Sequence, residues 1–135
     1  MEMRAYALER ANSLLRQLAF RVGPAAKRDD PDSIHDLRVA IRRFGRCLVV
    51  FGQFFPGRES SKIRRRLRRI MDLSAEVRDR DVALELCGKA GVPSDAPVLS
   101  SLRQVRDESR HKLVSRLERL RDREFSRVWR TRLKL

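Results

Sequence analysis

Residues 30–55 read Asp30-Pro31-Asp32-Ser33-Ile34-His35-Asp36-Leu37-Arg38-Val39-Ala40-Ile41-Arg42-Arg43-Phe44-Gly45-Arg46-Cys47-Leu48-Val49-Val50-Phe51-Gly52-Gln53-Phe54-Phe55. Ile34, Leu37, Ile41, Phe44, Leu48, Phe51 and Phe55 recur at alternating steps of three and four. That spacing is the apolar stripe of an amphipathic helix. Asp30 can cap it, Pro31 suits its first position, and Asp32 and Asp36 complement its positive end. The pattern predicts a helix over 31–55.

Working outward, three breaks divide the chain: Gly23–Pro24 with the polar stretch after it, Pro56–Gly57, and the run from Gly88 through Gly91 and Pro93 to Pro97. Between them lie further helical segments at about 2–22, 59–88 and 96–131. The first carries Ala7, Ala11, Leu14 or Leu15, and Leu18. The third carries Ile63, Leu67, Ile70, Val77 and Leu84, and the fourth Leu99, Leu102, Val105, Leu113, Leu117 and Leu120. Short connections between long helices make neighbours antiparallel. The expected fold is therefore all-α: one domain over 1–135, an antiparallel four-helix bundle. A C-terminal helical extension from Glu124 to Leu135 carries Phe125, Val128 and Trp129. The 135 residues suffice for a core, and 41% apolar content against 37% charged content favours folding over disorder.

The formal net charge is +14, and 27 of the 32 basic residues are arginine. A GC-rich genome would enrich arginine codons, but arginine's planar fork also pairs with phosphate oxygens and keeps its charge at any working pH. The charge is uneven. Residues 35–69 hold eleven bases and two acids, and residues 103–135 twelve bases and five acids, while residues 70–102 are net acidic. An acidic partner follows: nucleic acid, polyphosphate or an anionic surface.

At roughly 100° per residue, His35, Arg38, Arg42, Arg43 and Arg46 fall broadly opposite the apolar stripe of their helix. No acid stands between Asp36 and Glu59. Lys62, Arg65, Arg66 and Arg69 form a second stripe on the third helix, with Arg64 and Arg68 on another side. A solvated face normally mixes signs at i, i+4, whereas like charges there repel. These nine residues are the candidate polyanion-binding set, with His35 a hydrogen-bond donor beside a helix N-terminus. The fourth helix interleaves acids and reads as a supporting field.

Asp79 and Asp81 sit in Arg78-Asp79-Arg80-Asp81, and Asp81 falls on the apolar stripe between Val77 and Leu84. An inward carboxylate needs a partner, and Arg106 is one candidate. Asp79, Asp81, Arg78 and Arg106 read as a structural ion-pair set rather than as acid–base machinery. No catalytic constellation, phosphate-binding glycine loop, metal-type spacing or cofactor motif is present; His111 is the other histidine. Cys47 and Cys87 read as reduced thiols. No signal peptide or membrane-length apolar run is seen, so the expectation is a soluble, cytoplasmic protein that is not an enzyme.

His35-Asp36-Leu37-Arg38-Val39-Ala40-Ile41-Arg42-Arg43-Phe44 resembles the hallmark of the CHAD family, the conserved histidine α-helical domain. Leu73 through Val77-Arg78-Asp79-Arg80-Asp81-Val82 resembles that family's second element, and the resemblance covers about residues 4–125. It implies a helical fold whose basic surface binds inorganic polyphosphate, with association with polyphosphate granules. Carried onto this chain, His35, Arg38, Arg42 and Arg43 would contact phosphate and the third-helix bases would complete the site. Gly45 stands where a further base is common, with Arg46 one position on, and Ser74 where glycine is common. The family typically has two four-helix bundles and this chain holds one. A homodimer that rebuilds the two-bundle unit is therefore expected. Sequence-nonspecific nucleic-acid binding is the alternative, although the stripes lack interleaved aromatics for base stacking.

Overall fold

Helix formation follows the apolar periodicity, and local chemistry sets the ends. The computed structural model describes residues 2–135. Its regular structure is all helical: α1 (Met3–Lys27), α2 (Pro31–Val50), a 3₁₀ turn (Gly52–Phe54), α3 (Gly57–Lys89), α4 (Pro97–Asp122) and α5 (Phe125–Arg132).

The start of α2 is as the sequence predicts. The Asp30 carboxylate accepts a hydrogen bond from the Ser33 backbone N–H at 2.7 Å, and Pro31 occupies the first turn. Its end comes earlier than position 55. The chain tightens into the 3₁₀ turn at Gly52, which returns Phe55 to the core ahead of Pro56.

Two other boundaries are corrected. Gly23–Pro24 does not end α1. An interior proline removes an N–H and ordinarily costs about 3 kcal/mol. Here the last turn continues because Ala25 and Ala26 are buried and the Arg28 N–H closes on the Pro24 carbonyl at 2.8 Å. The helix expected over 96–131 is two helices. Glu124 adopts the left-handed conformation (φ 48°), and α5 turns back to pack on α1 and α4. Phe125, Trp129 and Leu133, spaced four apart, all bury. The Trp129 ring stacks on Phe44 at 6.3 Å and meets Phe125 edge-on at 4.9 Å. Arg130 Nε donates to Asn12 Oδ1 at 2.9 Å. The tail is thus a plug for the core rather than a plain extension.

Each long helix packs against the next in the chain, and α1 also packs against α4. The core between them is built from Leu15, Leu18, Leu37, Phe44, Leu48, Ile63, Leu73, Leu113 and Leu117 with their neighbours. At about 1.5 Å per residue, the 33 residues of α3 reach about 50 Å, against about 30 Å for the 20 of α2. The end of α3 and the start of α4 therefore project as a hairpin, closed at Gly91 (φ 78°), a backbone conformation suited to glycine. Val82, Leu86, Val98 and Val105 are exposed on this hairpin. Val105, expected in the core of α4, is displaced by Arg106, Ser109 and Arg110 on the inner side. Among the described residues no helix is long and apolar enough to cross a membrane.

Candidate anion-binding surface

The basic residues distribute along three seams between helices. Along α1 and α2, a cleft of 590 Å³ is lined by Arg16, Arg21, His35 and Arg43, with Phe20 at its side. Asp36, the one acid within the α2 stripe, lies in this cleft and pairs with Arg21 at 3.5 Å. The Arg21 guanidinium also sits over the exposed Phe20 ring, 5.3 Å from its centre.

Along α2 and α3 a groove of 360 Å³ has a floor of Ile41, Gly45, Leu67 and Met71. Arg42 and Arg46 stand on one wall, Arg64 and Arg68 on the other, and no acid lines it. The Arg64 Nε is buried with no hydrogen-bond partner. Gly45 keeps the floor low; a Cβ there would reach only ordinary contact with Leu67 Cδ1, at 4.0 Å.

Further along the same two helices the sign becomes mixed. His35, Arg38 and Arg78 line a 320 Å³ hollow with Asp32, Asp81 and Glu85. Arg38 is not a free cation here. Its Nη1 donates to the Ser74 hydroxyl at 2.6 Å and to the Met71 carbonyl at 3.1 Å, while the Ser74 hydroxyl donates to that carbonyl at 2.8 Å. Burial, then the positive charges of Arg42 and Arg78, lower the proton affinity of its guanidinium. Arg38 thus bolts α2 to α3 and aims the stripe that follows it. Ser74 is fully buried and supplies the acceptor.

The nine sequence-predicted binding residues therefore do not form one patch. His35, Arg42, Arg43 and Arg46 are exposed on α2. Arg66 and Arg69 face α4 across the opposite flank of α3, where they meet Arg116, Arg119 and Arg123. Lys62 and Arg65 are exposed but line none of these three seams. The bases that join the α2 stripe are instead Arg64 and Arg68, with Arg16 and Arg21 added from α1. Helical angle separates the two flanks of α3, but it does not say which neighbour lies on which flank.

The expected ion-pair set also divides. Arg106 Nε donates to Asp81 at 2.8 Å, and its two terminal nitrogens donate to both oxygens of Asp29, which the sequence reading missed. Arg110 stands 3.6 Å from Asp29. The hydrogen bonds from Arg106 hold the Asp29 carboxyl below its ordinary pKa, and raise that of Arg106. Arg78 and Asp79 stand outside this clamp, and neither makes a salt bridge among the described residues. Burial pushes the Cys47 thiol up, and both cysteines are free. No group of three or more His, Cys, Asp or Glu side chains gathers to hold a metal among the described residues.

The family model described as the CHAD domain matches residues 9–135 of this chain. No curated protein and no solved structure matches it.

Proposed function

The chain belongs to the CHAD domain family, and from that premise we propose that it binds inorganic polyphosphate along α2 and the α2/α3 groove. One observation carries the reading: Arg42, Arg46, Arg64 and Arg68 converge from two helices on a single groove that no acid lines. A linear polyanion compensates such a row, because each fork takes two phosphate oxygens and each contact releases counterions. The groove is open and has no aromatic on its walls, which suits a chain without bases.

The reading includes an up-and-down, antiparallel ring of four helices. The pairs Arg21–Asp36 and Tyr6–Phe51 support this between α1 and α2, since residue numbers rise on one helix as they fall on the other. Arg38–Ser74 and Gly45–Leu67 do the same between α2 and α3. It further includes a homodimer that brings two such grooves together, for which the exposed Val82, Leu86, Val98 and Val105 offer apolar surface. The protein acts in the cytoplasm, on polyphosphate granules, as a binding module and not as an enzyme.

Titration with long-chain polyphosphate at two salt concentrations tests the reading. Charge-assisted hydrogen bonds contribute about 1.5–3 kcal/mol each, so Arg42→Glu with Arg68→Glu is expected to weaken binding roughly 100-fold or more. Helicity should be unchanged, and wild-type affinity should fall steeply with salt. Duplex DNA displacing polyphosphate at comparable phosphate concentration would instead make this a nucleic-acid-binding surface. Phosphate release in Mg²⁺, abolished by changing Asp79 or Asp81, would make it an enzyme.

A further inference from the structure

The seam between α3 and α4 carries a charge arrangement that the α2 groove does not explain. Arg66 and Arg69 from α3 meet Arg116, Arg119 and Arg123 from α4 around a hollow of 130 Å³ floored by Ile70 and Leu120. No acid lines it. None of the five guanidinium groups makes a salt bridge among the described residues. The nearest acids on α4, Glu118 and Asp122, fall on other sides of that helix at roughly 100° per residue, and Asp72, three residues after Arg69 on α3, neither lines the hollow nor makes a salt bridge among the described residues.

The same two helices show what a neutralised seam looks like. Nearer the projecting hairpin, Arg106 is clamped between Asp81 and Asp29. At that end of the seam acids meet the arginine. At the other end of the seam five meet none, with like charges at i, i+3 and i+4 on α4 repelling one another. All five are exposed, so water and salt screen part of this repulsion, and a bound anion would relieve the rest.

The size of the hollow limits the anion. Pockets that enclose drug-sized organic ligands run to roughly 300–1,000 Å³, so a hollow of 130 Å³ encloses only a compact, highly charged group, and anything longer extends beyond it. Five planar forks on two facing helices match several phosphate oxygens at once. We propose that the α3/α4 seam is a second phosphate site, separate from the α2/α3 groove, which takes a short run of linked phosphate groups through Arg66, Arg69, Arg116, Arg119 and Arg123. The run is a free oligophosphate or the end of a longer chain. The α2/α3 groove lies across the other flank of α3, and no residue that lines one lines the other. The two sites are therefore separately addressable, and this inference does not rest on the reading of the groove.

Inorganic tripolyphosphate is the probe for the short run and long-chain polyphosphate for the chain end. In Arg42→Glu/Arg68→Glu, whose formal net charge falls from +14 to +10, calorimetric titration should still show tripolyphosphate binding at the seam, weakened only by the smaller overall field. Adding Arg116→Gln and Arg119→Gln to that background should weaken it by at least about tenfold, the scale of losing one charge-assisted contact. The glutamines remove repulsion without adding charge, so without phosphate the thermal midpoint should rise, and tripolyphosphate should then shift it little. Retained tripolyphosphate affinity in the four-residue variant overturns the proposal, as does its loss in Arg42→Glu/Arg68→Glu alone. Long-chain polyphosphate separates the two conclusions. Its undiminished binding to Arg42→Glu/Arg68→Glu removes the groove from the reading above and leaves the seam standing. If it binds through the seam by a chain end, Arg116→Gln/Arg119→Gln weakens it in an otherwise wild-type protein. If only tripolyphosphate is affected by that change, the seam's ligand is the free oligophosphate.

Discussion

Arg38 and Ser74 illustrate how one side chain changes the job of another. In sequence Arg38 is one more cation in a stripe; in space its guanidinium is half-buried between α2 and α3 and bonded to Ser74 and Met71. The hydroxyl at position 74, where the family commonly has glycine, supplies an acceptor that glycine cannot. Ser74→Ala removes it and leaves a partly buried guanidinium with one partner fewer. Hydrogen bonds to charged groups contribute about 1.5–3 kcal/mol, and partial exposure of Arg38 discounts that, so a loss of about 1–2 kcal/mol is expected. Urea unfolding measures it, and an unchanged midpoint would show that the bond contributes nothing net. Gly45 gives the opposite expectation at the same scale. Its added Cβ meets only ordinary contact, so Gly45→Ala should stabilise α2 by about 0.5–1 kcal/mol through the helix propensity alone.

Among the elements, α5 contributes most beyond what its length suggests. Eight residues would not hold a helix in water on their own. It persists because Phe125, Trp129 and Leu133 bury on one face, with Trp129 stacked on Phe44 of α2. Trp129→Ala is expected to lower stability by about 3–5 kcal/mol. Val50→Ala, at a residue 66% exposed at the end of α2, should change it by no more than about 0.5 kcal/mol. Comparable losses in the two variants would show that α5 does not plug the core. The stripes of α2 and the lower half of α3 could be read directly, because Ile63, Leu67 and Ile70 repeat cleanly and nothing polar interrupts them. The break before α5 could not: Arg123-Glu124 contains neither glycine nor proline, and only the burial of Phe125 and Trp129 makes the left-handed turn worthwhile. Pro24 misled in the other direction, since the turn it should have ended is held by buried alanines. The binding surface was half legible for a related reason. Periodicity put Arg64 and Arg68 on one flank of α3 and Arg66 and Arg69 on the other. Which flank faces α2 depends on how the helices go round the core.

Across the whole molecule, one cluster ties α3, α4 and the segment after α1 together against the repulsion of a net charge of +14. Arg106 of α4 holds Asp81 of α3 and Asp29, which follows α1. The clamp is acid-labile, and the sign follows from the shift. The Asp29 carboxyl lies below its ordinary value of 3.8 in the folded protein, first because Arg106 donates to it. The folded state therefore binds that proton more weakly than the unfolded chain. Its stabilisation is fully present above the ordinary value and is lost as pH falls through the depressed one. Asp30 moves the same way, held first by the backbone N–H of Ser33. Each carboxylate protonated also leaves the positive charge less opposed. The thermal midpoint should accordingly change little between about pH 7 and pH 5 on account of these groups, and fall steeply below about pH 4. Asp29→Asn should start lower at neutral pH, because Arg106 loses an ionised partner, and then fall less on acidification. The two curves converge once the pH has fallen through the depressed Asp29 value, where that carboxyl is protonated in the folded state too. Parallel curves across the whole range would mean that the acid sensitivity of the fold resides elsewhere than in the Asp29–Arg106–Asp81 clamp.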